Sequence, residues 1–589
     1  MKDVQEESKI FGLPNREFVP GRRSVLEGLA ACAGAVVLSQ RMRAETATPK
    51  PAKSHPVSGQ GSSFANILRL PDHVGILSEE MKQVDLIRSG ASWKSDDIVL
   101  QCEEKTGELP LSITASTSPL SRVHLRWKVA LPSSLRVLGD AWERSYGDLG
   151  WREIISERAM PWYFLTFDGT STHGYGLKTG ANALAFWQCD PEGISLWLDV
   201  RNGGNGVLLA GRTLQMATIV TRKGHAGEDA FTSARAFCRA MSTRPLLQSP
   251  PVYGSNDWYY AYGKSSAVQI LRDAALMAEL APSTTVRPFT VIDGGWENNP
   301  EFPDMAELAK NIHRQGVRPG IWVRPTAAAQ GEDEKLLLPP ERFGLIAGRS
   351  SENRAYDPTI PEARRKALAK VRQAVDWKYD LIKHDFSTFD LLGQWGFEMK
   401  ASPTLQGWNF HDRSRTNAEI IREFYNDIRE TAGEKTVLIG CNVIGHLSAG
   451  IFDLQRTGDD VSGKLWERTR RMGVNTLAFR LPQHQVFFSM DADCIPITKA
   501  IPWSLTKDWL NAVASTGSTL LVSPAPDAIG ADQKEALRKA FSLVLNATAT
   551  PEDWLESPTP SIWKSNQKSH SMDAHYQWLN SEGAFPFEV

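Results

Sequence analysis

The sequence predicts a multidomain β plus α/β chain: an N-terminal β-sandwich, then a (β/α)8 TIM barrel, then a short C-terminal extension. Three observations lead there. Apolar and polar residues alternate from about residue 67 to 223, the period of half-buried strands. Beyond residue 250 short apolar runs are separated by amphipathic helical patterns, and eight such units over roughly 300 residues suit a closed barrel. No Gly-rich phosphate turn follows the first run, which speaks against a doubly wound sheet. At 589 residues and 41% hydrophobic, the chain also exceeds the ~250–300 residues at which single cores stop growing.

In chain order, residues 1–47 read as an export signal of the twin-arginine type. "GRRSVLEGLAACAGAVVLSQRMRAETA" places Arg22 and Arg23 before a short Ala/Gly-rich apolar run and small residues around Ala44 and Ala47. That run is too short to span a bilayer, so the mature protein is expected outside the cytoplasm, periplasmic or extracellular, without a membrane span. Residues 48–63, "TPKPAKSHPVSGQGSS", are a Pro/Ser/Gly linker.

Residues 64–245 form the expected sandwich. Val123, Leu125, Trp127 and Val129 share one face of a strand, and Ile194, Leu196, Leu198 and Val200 share another. "VRNGGNGVLL" reads as a hairpin with a Gly/Asn turn; no helix follows it, so it is not a dinucleotide loop. A helix over "GEDAFTSARAFCRAMS" then leads to Pro245, Pro250 and Pro251.

Residues 246–550 hold the barrel. The expected strands are "PVYGSNDW", "PFTVIDG", "RPGIWVR", "YDLIKHDF", "KTVLIGC", "IFDLQRTGD", one within "VNTLAFRLPQHQVFFSM", and "STLLVS". One intervening helix turns Ala367, Val371 and Val375 inward; another turns Ile420, Phe424 and Ile428, with Thr416 and Glu419 spaced as a capping box. Residues 551–589 are too few for a further complete β domain.

Composition narrows the chemistry. With 66 Lys plus Arg against 68 Asp plus Glu there is no global field to attract nucleic acid or an anionic membrane. Without Cys32 of the signal, five scattered cysteines remain, in neither a metal spacing nor a disulfide framework. Nineteen Trp supply flat apolar faces that suit sugar rings and cores alike.

In such barrels the chemistry gathers at the carboxyl ends of the strands. Here those ends carry Trp258; Asp293 with Trp296; Trp322 with Arg324; Lys383 with Asp385; Cys441 with Asn442; and Arg456 with Asp459 and Asp460. Lys383 and Asp385, two residues apart on one strand, point the same way. Two carboxylates on separate strands are what glycoside hydrolysis needs, one to attack the anomeric carbon and one to protonate the leaving oxygen and then activate water.

The ordered set "NDW", "DGGW", "GIWVRP", "IKHDF", a strand-ending Cys and "RTGDD" resembles the retaining α-glycosidases of glycoside hydrolase clan D. That clan contains the melibiase or α-galactosidase families 27 and 36 and the α-glucosidase family 31, and family 36 shares the preceding β-sandwich. The resemblance covers about Pro251 to Pro526. It implies Asp385 as nucleophile, Lys383 as a cation binding hydroxyls, Asp293 on sugar hydroxyls, and Trp258, Trp296 and Trp322 as walls. Arg324, Cys441, Asn442 and Arg456 would complete the substrate site. For the acid/base it favours Asp459, the first Asp after Gly as in families 31 and 36, while the family 27 spacing after arginine selects Asp460. Two departures touch sugar recognition: Gly294 stands where the galactosidase pattern has a second Asp, and Arg324 where family 36 usually has an acid.

The implied activity is an exported exo-α-glycosidase acting on α-galactoside-like ends of an oligosaccharide or glycoside, without metal or organic cofactor. A homo-oligomer held by the sandwich is also compatible. Two alternatives stand beside it: a transglycosylase of the raffinose-synthase type, and a non-catalytic sugar binder with a degenerate barrel. "GDDVSGK" mimics part of a phosphate loop but has Leu465 where Ser or Thr must hold magnesium. Asp491 and Asp493 read as pocket-lining, cation-holding, solvated or helix-capping.

Overall fold

The computed structural model describes residues 64–578 apart from 79, 81, 245–250, 283–284, 347, 566–572 and 577. The expected signal, the linker and the end of the tail lie outside the described residues.

Alternating strands build two antiparallel sheets. One has six strands, with Arg122–Lys128 and Gly193–Asp199 at its centre; the other has nine, with Glu108–Thr114 beside Leu214–Arg222. Val123, Leu125, Trp127, Ile194, Leu196 and Leu198 are fully buried and meet Leu109, Leu111, Ile113, Phe164 and Tyr175 of the other sheet in one core. The sequence pattern and the pleat agree here because one face of each sheet is covered.

The "NGGN" segment is a tight turn bridged between Asn202 and Asn205 rather than a hairpin of two strands. Its purpose is contact with the barrel. Asn202 Nδ2 donates to the carbonyls of Asp412 and Arg415, and Gly203 N donates to Asn417 Oδ1 at 2.6 Å. A Cβ on Gly204 would lie 1.8 Å from the Leu405 carbonyl oxygen. Gly204→Ala is therefore expected to destabilise the protein by about 1–3 kcal/mol through forced backbone separation, seen as an earlier urea-unfolding midpoint.

Eight parallel strands close the barrel: Tyr253–Asn256, Phe289–Ile292, Arg318–Val323, Leu381–His384, Val437–Gly440, Leu454–Arg456, Ser489–Ile497 and Thr519–Pro524. Seven fall where the sequence puts them. The seventh does not: Trp466–Arg480 is helical, with Arg470–Asn475 in a π-helical turn, and the strand begins only at Ser489. "VNTLAFRL" is a short apolar run, a pattern that a buried helix and a buried strand share. The helix Asn417–Ala432 opens with the expected capping box, Thr416 Oγ1 accepting from Glu419 N while Thr416 N donates to Glu419 Oε2. It buries Ile420, Phe424 and Ile428. The helix Pro361–Asp376 buries Ala367 and Val371, with Val375 half-buried at its edge.

Sandwich and barrel are not separate bodies. The described residues belong to one compact unit, and a single apolar core runs from Trp142, Trp162 and the helix Ala230–Met241 into the barrel helices. The tail adds a small three-stranded sheet, and Trp554, in the turn after its first strand Thr550–Pro551, stacks on Phe479 and meets Trp151 and Phe231 edge-on. No helix among the described residues is long and apolar enough to cross a membrane.

Candidate active site

The fourth strand sets the site. Its residues pair in register with the third and fifth strands, Lys383 lying between Trp322 and Ile439. His384 points away from the barrel axis, against Tyr425 and Phe452, and burial lowers it to about 3. Alternation therefore turns Lys383 and Asp385 inward. After Asp385 the chain turns through Phe386 at φ +66°, a left-handed conformation unusual for a bulky residue. That turn lets Phe386 N donate to Asp385 Oδ1 at 2.8 Å, while Trp322 Nε1 donates to Oδ2 at 3.2 Å. One carboxylate is thus oriented by two N–H groups. Burial pushes its pKa up, and Arg144 and Lys383 pull it back.

Lys383 is spoken for by Asp293, which also accepts from Asn256 Nδ2 at 2.7 Å and from Gly294 N at 2.8 Å. Burial would lower the lysine, but Asp293 holds it well above its usual value.

Two strands along from Asp385 comes the turn after the sixth strand. Asp459 makes two ion pairs, to Arg144 at 2.9 Å and Arg468 at 2.8 Å. Asp460 has looser ones, to Arg456 at 3.1 Å and Arg144 at 3.4 Å. Burial pushes Asp460 up, yet Arg456 and Arg144 outweigh it and hold the carboxyl down at about 2. Asp460 is also the carboxylate whose charge acts on Asp385. The favoured reading from the sequence, Asp459, thus falls on the more tightly clamped of the two.

Other expected site residues separate into those at the mouth and those behind it. Trp258 is half-buried and packs beside Tyr262, under Gly263. Trp296 does not wall the site: its Nε1 donates to the Trp322 carbonyl and its ring meets Trp377 edge-on, on the helix side of the strand. Asn442 is fully buried, accepting from Phe389 N and donating to Glu143, so it ties loops together and does not face the site. Cys441 lies against Arg456 at 3.8 Å, and burial raises its thiol far beyond nucleophilic use. Arg324 grips Asp390 with Nε at 2.9 Å and Nη2 at 2.5 Å, and its guanidinium lies 4.2 Å from the Phe386 ring. An arginine so neutralised has little charge left for an acidic sugar.

Asp491 and Asp493, singled out in the sequence with several roles open, sit inside the barrel on the seventh strand, neither solvated nor capping. Asp493, at φ +65°, accepts from Arg456 Nη2 at 2.8 Å, Val461 N at 3.0 Å and the Tyr259 hydroxyl. Asp491 is pushed up to about 6, mainly by burial. Two further residues had no signal in the sequence: Arg468, on the short helix Trp466–Thr469, and Arg144, which comes from the sandwich. Among the described residues no His, Cys, Asp and Glu group could hold a metal ion.

A scan against protein families finds no match. Solved structures do match. An α-galactosidase from Thermus thermophilus, in complex with p-nitrophenyl α-D-galactopyranoside, has a TM-score of 0.54 at 18% identity, covering 81% of this chain and 96% of that one. The α-galactosidase AgaA of Geobacillus stearothermophilus, of glycoside hydrolase family 36, gives 0.54 at 13% identity, covering 85% and 80%. The galactosidase domain of the α-galactosidase-sucrose kinase AgaSK gives 0.53 at 15% identity, covering 84% and 78%. The chain shares with the family 36 α-galactosidases one fold, a β-sandwich leading into a (β/α)8 barrel.

Proposed function

We propose that this protein is an exported retaining exo-α-glycosidase acting on terminal α-galactoside-like sugars. What supports this reading is one arrangement: Asp385 oriented by two N–H donors at the end of the fourth strand, with Asp459 and Asp460 on the turn after the sixth strand of the same barrel and the charge of Asp460 acting on Asp385. Asp385 attacks the anomeric carbon, and the C1–O bond to the leaving group breaks as that oxygen takes a proton from the second carboxyl group. The same group then removes a proton from water, which displaces Asp385 and restores the starting configuration. Trp322 holds Asp385 in line, and the Lys383–Asp293 pair offers donor and acceptor to sugar hydroxyls.

On its contacts Asp460 is the better candidate for the acid/base than Asp459; since its arginines hold its carboxyl at about 2 in the free protein, it must take up its proton as a bound sugar excludes water from the site and raises it. Its two arginine contacts are longer, and its charge acts on Asp385. Asp459, fixed by two close guanidinium groups, anchors the turn.

The test is release of nitrophenol from a panel of aryl α- and β-glycosides, with proton NMR of the first-formed anomer. Cleavage of one α-linked sugar with retention is expected; inversion, or activity on β-glycosides alone, would sink the proposal. The panel also probes Gly294. A Cβ there would meet Trp322 at an ordinary 3.7 Å, so a side chain fits. Gly294→Asp is expected to fold normally and to change the preference between galactoside and its competitors by roughly tenfold or more, the scale on which a buried polar contact discriminates sugars. An unchanged rank order would remove this position from sugar recognition.

A further inference from the structure

We infer that Arg144, delivered into the barrel mouth by the sandwich, is a positioning residue of the catalytic centre that sets the charge balance between Asp385 and the Asp459–Asp460 pair. This rests on the glycosidase reading above and adds to it a residue from outside the barrel.

The delivery is a backbone device. Ser145 N donates to the Thr457 carbonyl at 2.9 Å and Asp459 N donates to the Ser145 carbonyl at 2.8 Å, so the segment pairs in parallel with the turn at Gly458. Gly458 has no room for a side chain, with the Met472 carbonyl 2.2 Å from where its Cβ would be. The next residue back, Glu143, reaches the fifth-strand loop: its carboxylate accepts from Asn442 and from Gly396 N at 2.8 Å, and from the Tyr146 hydroxyl at 2.5 Å. Glu143 and Ser145 thus fix the backbone on both sides of Arg144.

The guanidinium is 9% exposed, lies 5.4 Å from the Trp395 ring, and forks onto both aspartates. The other charges around the carboxylates are committed elsewhere. Lys383 is held by Asp293, Arg324 by Asp390, and Arg456 by Asp493 as well as Asp460. Arg468 pairs with Asp459 alone among the two. Of the remaining acids, Asp491 lies deeper on the seventh strand, and Tyr259 is hydrogen-bonded to Asp493. Arg144 alone among the described residues is ion-paired to both Asp459 and Asp460, and its charge is the largest one lowering Asp385. Removing it should raise the proton affinity of Asp385 and Asp460, and also of Glu143, whose carboxyl burial pushes up to about 7 against the pull of Arg144.

The experiment is the pH profile of kcat/KM for wild type, Arg144→Gln and Arg144→Lys on the best aryl glycoside. In Arg144→Gln both limbs are expected to move to higher pH by about one unit, the lower end of what a neighbouring charge does. Arg144→Lys should return them to within a few tenths of a unit. A loss of amplitude with unmoved limbs would mean a purely structural arginine and overturn the inference. If Arg144→Gln does not fold, Arg144→Met decides, since it keeps the aliphatic stem and its packing while removing the charge: both limbs should again move to higher pH. Unmoved limbs in that variant overturn the inference.

Carboxyl 13C NMR of aspartate-labelled protein, assigned with Asp385→Asn and Asp460→Asn, reads the same balance without turnover. Midpoints higher in Arg144→Gln support the role, and unchanged midpoints reject it, even if wild type cleaves no glycoside and the glycosidase reading has failed by itself.

Discussion

Asp385→Ala is expected to lower kcat by on the order of 10^4-fold or more while leaving KM within a few-fold, because a nucleophile acts on the transition state and contributes little to ground-state binding. The substitution shortens a side chain at the mouth and leaves the fourth-strand ladder untouched, so folding should survive it. Azide supplied at high concentration should then enter the vacated space, restore part of the turnover and yield the β-glycosyl azide. That product requires attack from the face Asp385 occupies, which no structural role for the residue provides. The two sixth-strand aspartates should behave differently from it and from each other. Loss of a proton donor is felt least with good leaving groups, so Asp460→Asn should retain far more activity on nitrophenyl glycosides than on a disaccharide. Asp459→Asn should weaken both substrates alike, since it loosens the Arg144–Arg468 clamp. Reversal of these two patterns would return the acid/base role to Asp459.

What could be read from the sequence was what local spacing determines. Period-2 stretches such as Arg122–Lys128 and the Thr416–Glu419 box report contacts a few residues away or one covered face, and both stand as expected. Lys383 and Asp385 were legible for the same reason, as two side chains on one side of a strand. What escaped depends on partners hundreds of positions off. Arg144 is 315 and 316 residues from the aspartates it pairs with, and nothing in "AWERSYGD" tells it from any surface run. Trp296 has the right spacing from Asp293 but rotates behind the strand to reach the Trp322 carbonyl and Trp377. The seventh strand was hidden by acids: Asp491 and Asp493 look wrong for a barrel interior until Arg456 and Tyr259 are seen to satisfy Asp493.

The largest stability effect should come from Asp140→Ala, at about 3–5 kcal/mol, the usual result of stranding a buried charge by deleting its partner. Asp140 lies on the sandwich and pairs with Arg480 at 2.9 Å, side chains 1% and 0% exposed. Its Oδ2 also accepts from Trp162 Nε1 at 2.9 Å and Gln483 Nε2 at 2.8 Å. Arg480 in turn donates through Nη1 to the carbonyls of Arg456 and Thr457, at 3.2 and 3.1 Å. Those carbonyls immediately precede Gly458, so one ion pair joins the sandwich to the stem of the turn that bears Asp459 and Asp460. Urea unfolding should show a lower midpoint for Asp140→Ala, and activity should fall with it. The paired replacement Asp140→Leu with Arg480→Met should recover much of the stability, since removing both charges leaves neither unpaired. It should not recover the activity, because the carbonyls of Arg456 and Thr457 lose their donor and the turn its anchor. Recovery of both together would mean that the ion pair only fills space between the two parts, and that the acid turn is held by Ser145 and the arginines alone.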